Sequence, residues 1–316
     1  MLIVCGEALF DVFAGGNTPT GMALDARVGG SPFNVAVGLA RLGQAAGFFG
    51  GVAEGFAGDR LMQALTDEGV ACGAVVRLDA PATLSLVGLD ANGVPSYAFY
   101  GSGAADRELP LSALGRVPAG AAAYHFGSYA MVVEPVASTQ RALVERECRR
   151  SLIAYDPNVR LNVEPDLARW RGVLDWMLAR THLLKISDED LALLYPGLAP
   201  AQAAANWLAR GVALVVVTRG AQGALGWTAN VHAEVPAVAC TLVDTVGAGD
   251  SFQAALLAWC AEHDALAAAA LRAWSAAELE AGLRFAVQAA ALTCSRRGAD
   301  LPRRAELAPP PAGVAS

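Results

Sequence analysis

The chain has 316 residues, of which 54% are hydrophobic, and it carries a formal net charge of −7. Nucleic acids and anionic membranes are bound by basic faces, so this charge argues against both as partners. Its six cysteines lack metal-ligand spacing, and no signal peptide or membrane span is visible. We therefore expect a soluble cytoplasmic protein with reduced thiols.

Short apolar segments alternate with helical patterns along most of the chain. Segments that are apolar on both faces and separated by helices predict a parallel sheet covered on both sides. Residues 11–28 and 83–100 break this rhythm, and 83–100 alternates like an antiparallel hairpin with Asn92 and Gly93 at its turn. The predicted strands of the parallel sheet are 2–4, 47–50, 122–126, 152–155, 182–186 and 212–217.

Two polar segments come early in the chain. Asp11 follows the first strand, and the carboxyl ends of parallel strands are where open α/β sheets bind ligands. Gly29 and Gly30 precede a helical pattern in which Ser31 is the predicted N-cap, and glycines let a backbone approach a ligand closely. Asn34, one turn in, offers a donor and an acceptor. The alternatives are a loop Asp that caps local backbone and a tight turn onto a packing helix.

The segment 244–252, Asp-Thr-Val-Gly-Ala-Gly-Asp-Ser-Phe, lies between an apolar run and a helical pattern. This order predicts a strand, a glycine turn and a helix. Gly247 and Gly249 allow consecutive N–H groups to point into one concavity, and the helix start adds partial positive charge, so the turn is expected to bind a phosphate-like anion. Asp250 is then placed to accept a proton from the group that attacks the phosphate. The alternative is that Asp250 is an ordinary N-cap.

With both glycine motifs in this order, the chain resembles the ribokinase-like (PfkB) carbohydrate kinases from residue 2 to about 301, and most of all the fructokinases and 2-keto-3-deoxygluconate kinases. The resemblance implies an α/β fold, a three-layer sandwich with a central, mostly parallel sheet and a small β-sheet lid. It implies one domain over residues 1–308, whose lid comes from about 11–28 and 83–105 and forms a homodimer contact in many relatives. Residues 309–316 are expected to be a disordered tail.

The resemblance also implies an activity: transfer of the γ-phosphoryl group of ATP to a sugar hydroxymethyl, with Mg²⁺ and K⁺ as cofactors and fructose as the substrate. A 2-keto-3-deoxygluconate kinase, a nucleoside kinase and a non-catalytic sugar- or nucleotide-binding regulator remain as alternatives. A Rossmann oxidoreductase and a P-loop kinase are disfavoured, because G-x-G-x-x-G does not follow the first strand and G-x-x-x-x-G-K-[ST] does not occur.

The resemblance assigns roles to individual residues. Asp250 is expected to be the general base, with the amides of Gly247, Ala248 and Gly249 stabilising the transferring phosphoryl group. The residues expected at the sugar are Asp11, Gly29, Gly30, Asn34, Phe99 and Arg160. The residues expected at the nucleotide are Lys185, Ser187, Thr218, Gly220, Gly223 and Val287.

Metal binding is implied at two places. Many relatives have Asn-x-x-Glu at a site linked to magnesium, where this chain has Ser187 and Asp190, and Glu189 could substitute for the shorter Asp190. A monovalent cation is held in relatives between two loops near the glycine turn. The corresponding residues here are Asp244, Val246, Thr293, Arg296 and Gly298.

Overall fold

The computed structural model describes residues 1–89 and 95–307, which form two sheets, a short two-stranded ladder and flanking helices. The strands are β1 (Leu2–Cys5), β2 (Leu9–Thr18), β3 (Gly21–Gly29), β4 (Ala46–Phe49), β5 (Gly51–Ala53), β6 (Val76–Leu78), β7 (Leu84–Leu89), β8 (Pro95–Tyr100), β9 (Ala123–Gly127), β10 (Leu152–Asp156), β11 (Leu183–Ser187), β12 (Leu214–Thr218), β13 (Ala224–Trp227) and β14 (His232–Val235). The α-helices are α1 (Ser31–Arg41), α2 (Gly55–Asp67), α3 (Val136–Glu147), α4 (Leu167–Leu178), α5 (Asp188–Leu194), α6 (Pro200–Ala209), α7 (Ala248–Glu262), α8 (Ala268–Arg272) and α9 (Ala276–Cys294).

The large sheet has the strand order β14-β13-β12-β11-β10-β9-β1-β4. The six strands from β12 to β4 are parallel to their neighbours, and β13 and β14 add an antiparallel hairpin at one edge. All six predicted parallel strands are present. Helices connect them because parallel neighbours need a crossover, which a tight turn cannot provide.

The core is divided between the two faces of this sheet, and β1 shows why. Alternate side chains of a strand point to opposite faces, so Leu2 and Val4 pack with α1, α2, α7 and α9. Ile3 and Cys5 pack on the other face with α3, α4, α5 and α6. Helices therefore cover both faces, as predicted for a ribokinase-like three-layer fold. No helix among the described residues is long and apolar enough to cross a membrane.

The small sheet has the order β3-β2-β7-β8. The predicted hairpin is confirmed as the antiparallel pair β7 and β8, with Leu84 opposite Tyr100. Its predicted turn at Asn92 and Gly93 and the predicted disordered tail at 309–316 lie outside the described residues. The parallel pair β2 and β7 joins the two predicted lid segments into one sheet.

Three local predictions were wrong. Asp11 lies inside β2 of the small sheet and does not follow β1 directly, because the chain enters a second strand at Leu9. Ser31 is the first residue of α1, and its N-cap is Gly30 at φ 104°. No strand leads directly into the glycine turn, since β14 ends at Val235 and the chain is irregular up to α7.

Candidate active site

A cavity of about 1030 Å³ opens at the carboxyl ends of the parallel strands. Its wall includes residues that end or follow successive strands: Glu7, Ser128, Asn158, Ser187 and Thr218. Residues of the small sheet line one end of the cavity, which we call the sugar end because the sequence predicts sugar-binding residues there. Residues 218–223 and 237–242, with parts of α9, line the other end, which we call the nucleotide end for the corresponding prediction. The glycine turn and Asp250 also line this cavity.

Asp250 is the third residue of α7, whose N-cap is Gly247, so the N-cap interpretation of Asp250 is wrong. Its carboxylate accepts hydrogen bonds from two side chains of α1, which is distant in sequence. The Ser31 hydroxyl donates to Oδ1 at 2.6 Å, and Asn34 Nδ2 donates to Oδ2 at 2.8 Å. The predicted glycine–glycine helix and the predicted glycine turn therefore meet at this one carboxylate.

Burial raises the pKa of Asp250 above its ordinary value, although the hydrogen bonds from Ser31 and Asn34 and the charges of Lys185 and Arg160 act in the opposite direction. Lys185 itself is buried and forms an ion pair with Asp156 at 2.7 Å. A carboxylate with a raised pKa accepts a proton more readily than an exposed one. The surroundings of Asp250 therefore suit a general base.

The glycine turn has the backbone geometry expected of an anion site. Gly247 is left-handed at φ 79°, and a Cβ added there would lie 2.6 Å from the Ala299 Cβ. The amide of Ala248 donates to the Thr245 carbonyl at 3.2 Å. Among the described residues, the amides of Gly247 and Gly249 have no hydrogen-bond acceptor, and they lie at the positive end of α7. The two glycine amides are thus available to an anion, while that of Ala248 is already used.

Asp11 lies at the sugar end with Gly29 behind it. A Cβ on Gly29 would come 2.4 Å from Asp11 Oδ2, so the glycine makes room for the carboxylate. Burial raises the pKa of Asp11, a side-chain hydrogen bond from Ser85 lowers it, the charge of Asp250 raises it and that of Arg160 lowers it. Asp11 and Asp250 are therefore close enough to influence each other across the space between them.

Arg160 and Phe99 also line the sugar end. The Arg160 Nη1 donates to the carbonyl of its neighbour Val159 at 2.9 Å, and its charge lowers the pKa of Asp11 and of Asp250. Phe99 packs edge-to-face on Tyr129, with ring centroids 6.4 Å apart. Arg160 is thus a cation among carboxylates, and Phe99 supplies apolar surface from the small sheet.

Several residues of the sugar end were missed from the sequence, namely Glu7, Ser85, Ser128, Tyr129 and Asn162. A usable signal existed for Glu7, because the reasoning about strand ends that was applied to Asp11 fits Glu7 better. Glu7 is the second residue after the end of β1, whereas Asp11 lies in β2. The other four had no local signal that distinguished them from ordinary loop and strand residues.

The nucleotide end brings together Thr218, Gly220, Gly223 and Val287, with apolar residues of the segment 237–242 that the sequence did not single out. Gly223 has φ 86°, and a Cβ there would lie 2.0 Å from the Val235 carbonyl oxygen. This end is therefore shaped by close backbone approach and apolar surface, which suits the flat face of a base.

The predicted magnesium residues also line the cavity. Ser187 is the N-cap of α5 and accepts from the Asp190 amide at 3.0 Å. Asp190 is buried, and desolvation together with the charge of Asp156 raises its pKa to about 6, while Glu189 is exposed. The described residues include no cluster of three or more His, Cys, Asp or Glu that could hold a metal ion. The Asp190 carboxyl group on the cavity wall fits Mg²⁺, which keeps several waters and needs only one or two carboxylates beside substrate phosphates.

The two loops predicted to hold a monovalent cation are joined by Asp244. Its Oδ1 accepts from the Val246 amide at 3.1 Å, and its Oδ2 accepts from the Gly298 amide at 2.8 Å. The Thr293 hydroxyl donates to the Ala289 carbonyl, and Arg296 pairs with Glu306. Because these side chains are already paired, a cation here would be held by carbonyl oxygens. Of the five residues predicted to hold the cation, Val246 lines the cavity and the other four do not. Gly29, which was predicted to contact the sugar, does not line the cavity either.

A carboxylate beside free amides at a helix start, at the carboxyl ends of a parallel sheet, has the groups that phosphoryl transfer to a small molecule requires. The model of the pfkB family carbohydrate kinases matches residues 2–305. The chain belongs to this family, and it is an enzyme that phosphorylates sugars.

Named relatives agree with this membership. A fructokinase from Rhizobium leguminosarum bv. trifolii is 36% identical over 258 residues, which cover 82% of this chain and 79% of the relative. The structure of a fructokinase with bound ATP from Xylella fastidiosa has a TM-score of 0.83 and 29% identity, and the match covers 94% of this chain and 93% of that one. A fructokinase double mutant from Vibrio cholerae O395, in its fructose, ADP and potassium ion bound form, has a TM-score of 0.78 and 28% identity, with 94% and 93% covered.

Proposed function

We propose that this enzyme transfers the γ-phosphoryl group of ATP to a hydroxymethyl group of D-fructose. The observation that carries the proposal is the position of Asp250, held by Ser31 and Asn34 at the start of α7 and beside the free amides of the glycine turn. A proton acceptor and an anion site within one turn of helix are what a direct phosphoryl transfer to a hydroxyl requires. The fructokinase relatives support the choice of sugar.

Each group of residues then has a role. Asp11 accepts hydrogen bonds from sugar hydroxyls, so that the reacting hydroxymethyl faces Asp250. Asp250 accepts the proton of that hydroxymethyl oxygen as it attacks. The amides of Gly247 and Gly249 stabilise the negative charge on the transferring group. The positive charge of Lys185, which lies next to Gly249, stabilises that negative charge as well.

Mg²⁺ would neutralise phosphate oxygens when bound, and Asp190, with Glu189 beside it, would hold its water shell. Thr218, Gly220, Gly223 and Val287 are the residues we place along the nucleotide, with Ser187 and Lys185 nearer to its phosphates. K⁺ between the Asp244 loop and the residues from Thr293 to Gly298 would support the glycine turn from behind. The potassium ion in the Vibrio cholerae structure supports this part of the proposal.

A second substrate, 2-keto-3-deoxygluconate, is favoured by one observation. Arg160 lines the sugar end, and among the described residues its guanidinium donates only to the adjacent carbonyl. A sugar acid would present a carboxylate that an arginine binds well.

The small sheet, which we propose acts as a lid over the sugar end within a single domain, carries exposed apolar side chains: Met22, Leu24, Leu84 and Tyr100. We propose that they form a homodimer contact, because exposed apolar surface of this kind marks interfaces. Light scattering of the protein and of its Leu24→Asp variant tests this, since a dimer contact here predicts that the variant is monomeric.

The test of function is ADP release with ATP and Mg²⁺ across fructose, 2-keto-3-deoxygluconate, other ketoses and nucleosides. Fructose is expected to have the highest kcat/KM. A tenfold preference for the sugar acid would move the assignment to the second substrate. A tenfold preference for a nucleoside would overturn the sugar proposal altogether.

A further inference from the structure

Glu7 is a buried carboxyl group at the sugar end that the proposed function does not yet use. It is 1% exposed, yet it lines the cavity. Its position is set by the glycine motif, since a Cβ on Gly30 would lie 2.8 Å from the Glu7 carbonyl oxygen and 3.3 Å from its Cγ. Close packing on this side leaves the cavity as the open side of Glu7.

The Glu7 Oε2 atom is buried and has no hydrogen-bond partner among the described residues. Asp106, a neighbouring buried carboxylate, differs in this respect. It accepts from the Thr83 hydroxyl at 2.6 Å and from the Tyr129 hydroxyl at 2.8 Å, and it does not line the cavity. Leaving a buried polar atom unpaired is costly, and Glu7 is one of the residues that line the cavity, so a ligand bound there can supply the missing partner.

Resting on the sugar kinase function proposed above, we propose that Glu7 is a substrate-binding residue whose Oε2 hydrogen-bonds a sugar hydroxyl other than the one that is phosphorylated. The hydroxyl's chemistry fits, because it can donate to a carboxylate or accept from a carboxylic acid. Glu7 and Asp11 would then bind different hydroxyls, and together they would fix which hydroxymethyl group faces Asp250.

The protonation of Glu7 supports the same role. The pKa of Glu7 is raised to about 8, chiefly by burial and further by the negative charge of Asp106. The Ser128 side chain, the Glu7 backbone and the charge of Arg160 act in the opposite direction. At neutral pH the carboxyl group is therefore mostly protonated. A neutral carboxylic acid adds a hydrogen-bond donor beside the acceptor Asp11, and it avoids another negative charge close to the triphosphate.

The test combines substitutions with deoxy analogues of the best sugar in the panel, each lacking one non-reacting hydroxyl. Glu7→Met keeps similar bulk and removes the hydrogen bond. It is expected to lower kcat/KM for the full sugar about 10- to 100-fold, mainly through the KM of the sugar, with the KM of ATP unchanged. For one deoxy analogue, the same substitution is expected to have no further effect, because the partner hydroxyl is already absent.

Glu147→Met is the matched control. Glu147 is also buried, at 6% exposed, but it pairs with Arg146 and lies away from the cavity wall. This variant is expected to lose stability and to keep the sugar KM for every analogue. Glu7→Gln, which retains a donor and an acceptor, should recover part of the lost kcat/KM and serves as the folded variant if Glu7→Met does not fold.

Two results would overturn the inference. One is an equal loss across the full sugar and all deoxy analogues in both Glu7 variants, which would make Glu7 a structural group. The other is an unchanged sugar KM in a folded variant. If another sugar proves better than fructose, the choice of fructose is wrong but the inference about Glu7 is still tested. The Glu7 variants are then compared on that sugar and its deoxy analogues.

Discussion

The two ends of the cavity use different parts of the polypeptide. At the sugar end, the groups that we propose contact the substrate are side chains, and burial raises the pKa of both Asp11 and Glu7. At the glycine turn and the nucleotide end, the proposed contacts come from the backbone, where glycines such as Gly247 and Gly223 leave no room for a Cβ. Asp250 combines the two. Its carboxylate accepts hydrogen bonds from the side chains of Ser31 and Asn34, and its backbone belongs to the first turn of α7 beside the glycine amides.

This difference predicts which kind of change each end tolerates. Where a side chain binds ligand hydroxyls, removing its polar atoms weakens ligand binding even if its shape is kept, because the hydroxyls are left without hydrogen-bond partners. Where the backbone binds the ligand, replacing a glycine by alanine weakens binding even though no polar atom is lost, because the added methyl group displaces the backbone. Substitutions at the two ends and at Asp250 therefore separate the two mechanisms.

Asp250→Asn is expected to have the largest effect. The amide keeps the size of the side chain but cannot accept the proton, and a general base contributes on the order of 10²–10⁴-fold to a rate. Steady-state turnover with saturating fructose and ATP should fall by about that factor, while thermal stability and sugar affinity are largely kept. Near-normal turnover in a folded variant would remove Asp250 as the base and leave the turn as an anion site alone.

Asp11→Ala tests the side-chain mechanism at the sugar end. Loss of an acceptor for sugar hydroxyls should cost about 1–3 kcal/mol of sugar binding. Calorimetry should show weaker sugar affinity, with ATP affinity unchanged. An equal loss of ATP affinity would mean that Asp11 supports the whole cavity, for instance through its packing on Gly29.

Gly247→Ala tests the backbone mechanism. Gly247 has φ 79°, and the added methyl would lie 2.6 Å from the Ala299 Cβ, so the turn must shift. We expect about a tenfold loss of turnover in addition to a stability loss of about 1–2 kcal/mol. Gly43→Ala is the matched control, because Gly43 has φ 81° and no atom within 4 Å of the added methyl. It should lose stability only, and a similar loss of turnover in both variants would refute the specific role of the turn.

Replacing K⁺ by a large organic cation should have the smallest effect. The loops joined by Asp244 lie directly behind the glycine turn, so a cation that no longer fits should disturb the turn without removing any catalytic group. A few-fold loss of turnover is expected, with the KM of the sugar unchanged, measured at constant ionic strength. Turnover that is indifferent to the swap would show that this enzyme does without the cation.

Much of the fold could be predicted because its signals are local. A strand buried on both faces is apolar throughout, so the six parallel strands are visible in single segments of sequence, and the α/β alternation follows from them. The boundaries near the site could not be predicted as well. Leu9 continues an apolar pattern that fits a loop or a strand, and only its pairing with Gly29 of β3 makes it the start of β2.

By itself, the sequence determined the glycine turn, the carboxylate after it and the glycine pair before α1, because backbone freedom and helix starts depend on neighbouring residues. Only the tertiary structure decided that Ser31 and Asn34 reach Asp250 more than 200 positions away. It alone decided that the Glu7 Oε2 atom has no partner among the described residues, while the Asp106 carboxylate has two. The physical reason is that the pairing of a buried polar atom depends on which strands and helices are neighbours in space, and no local pattern of residues encodes that.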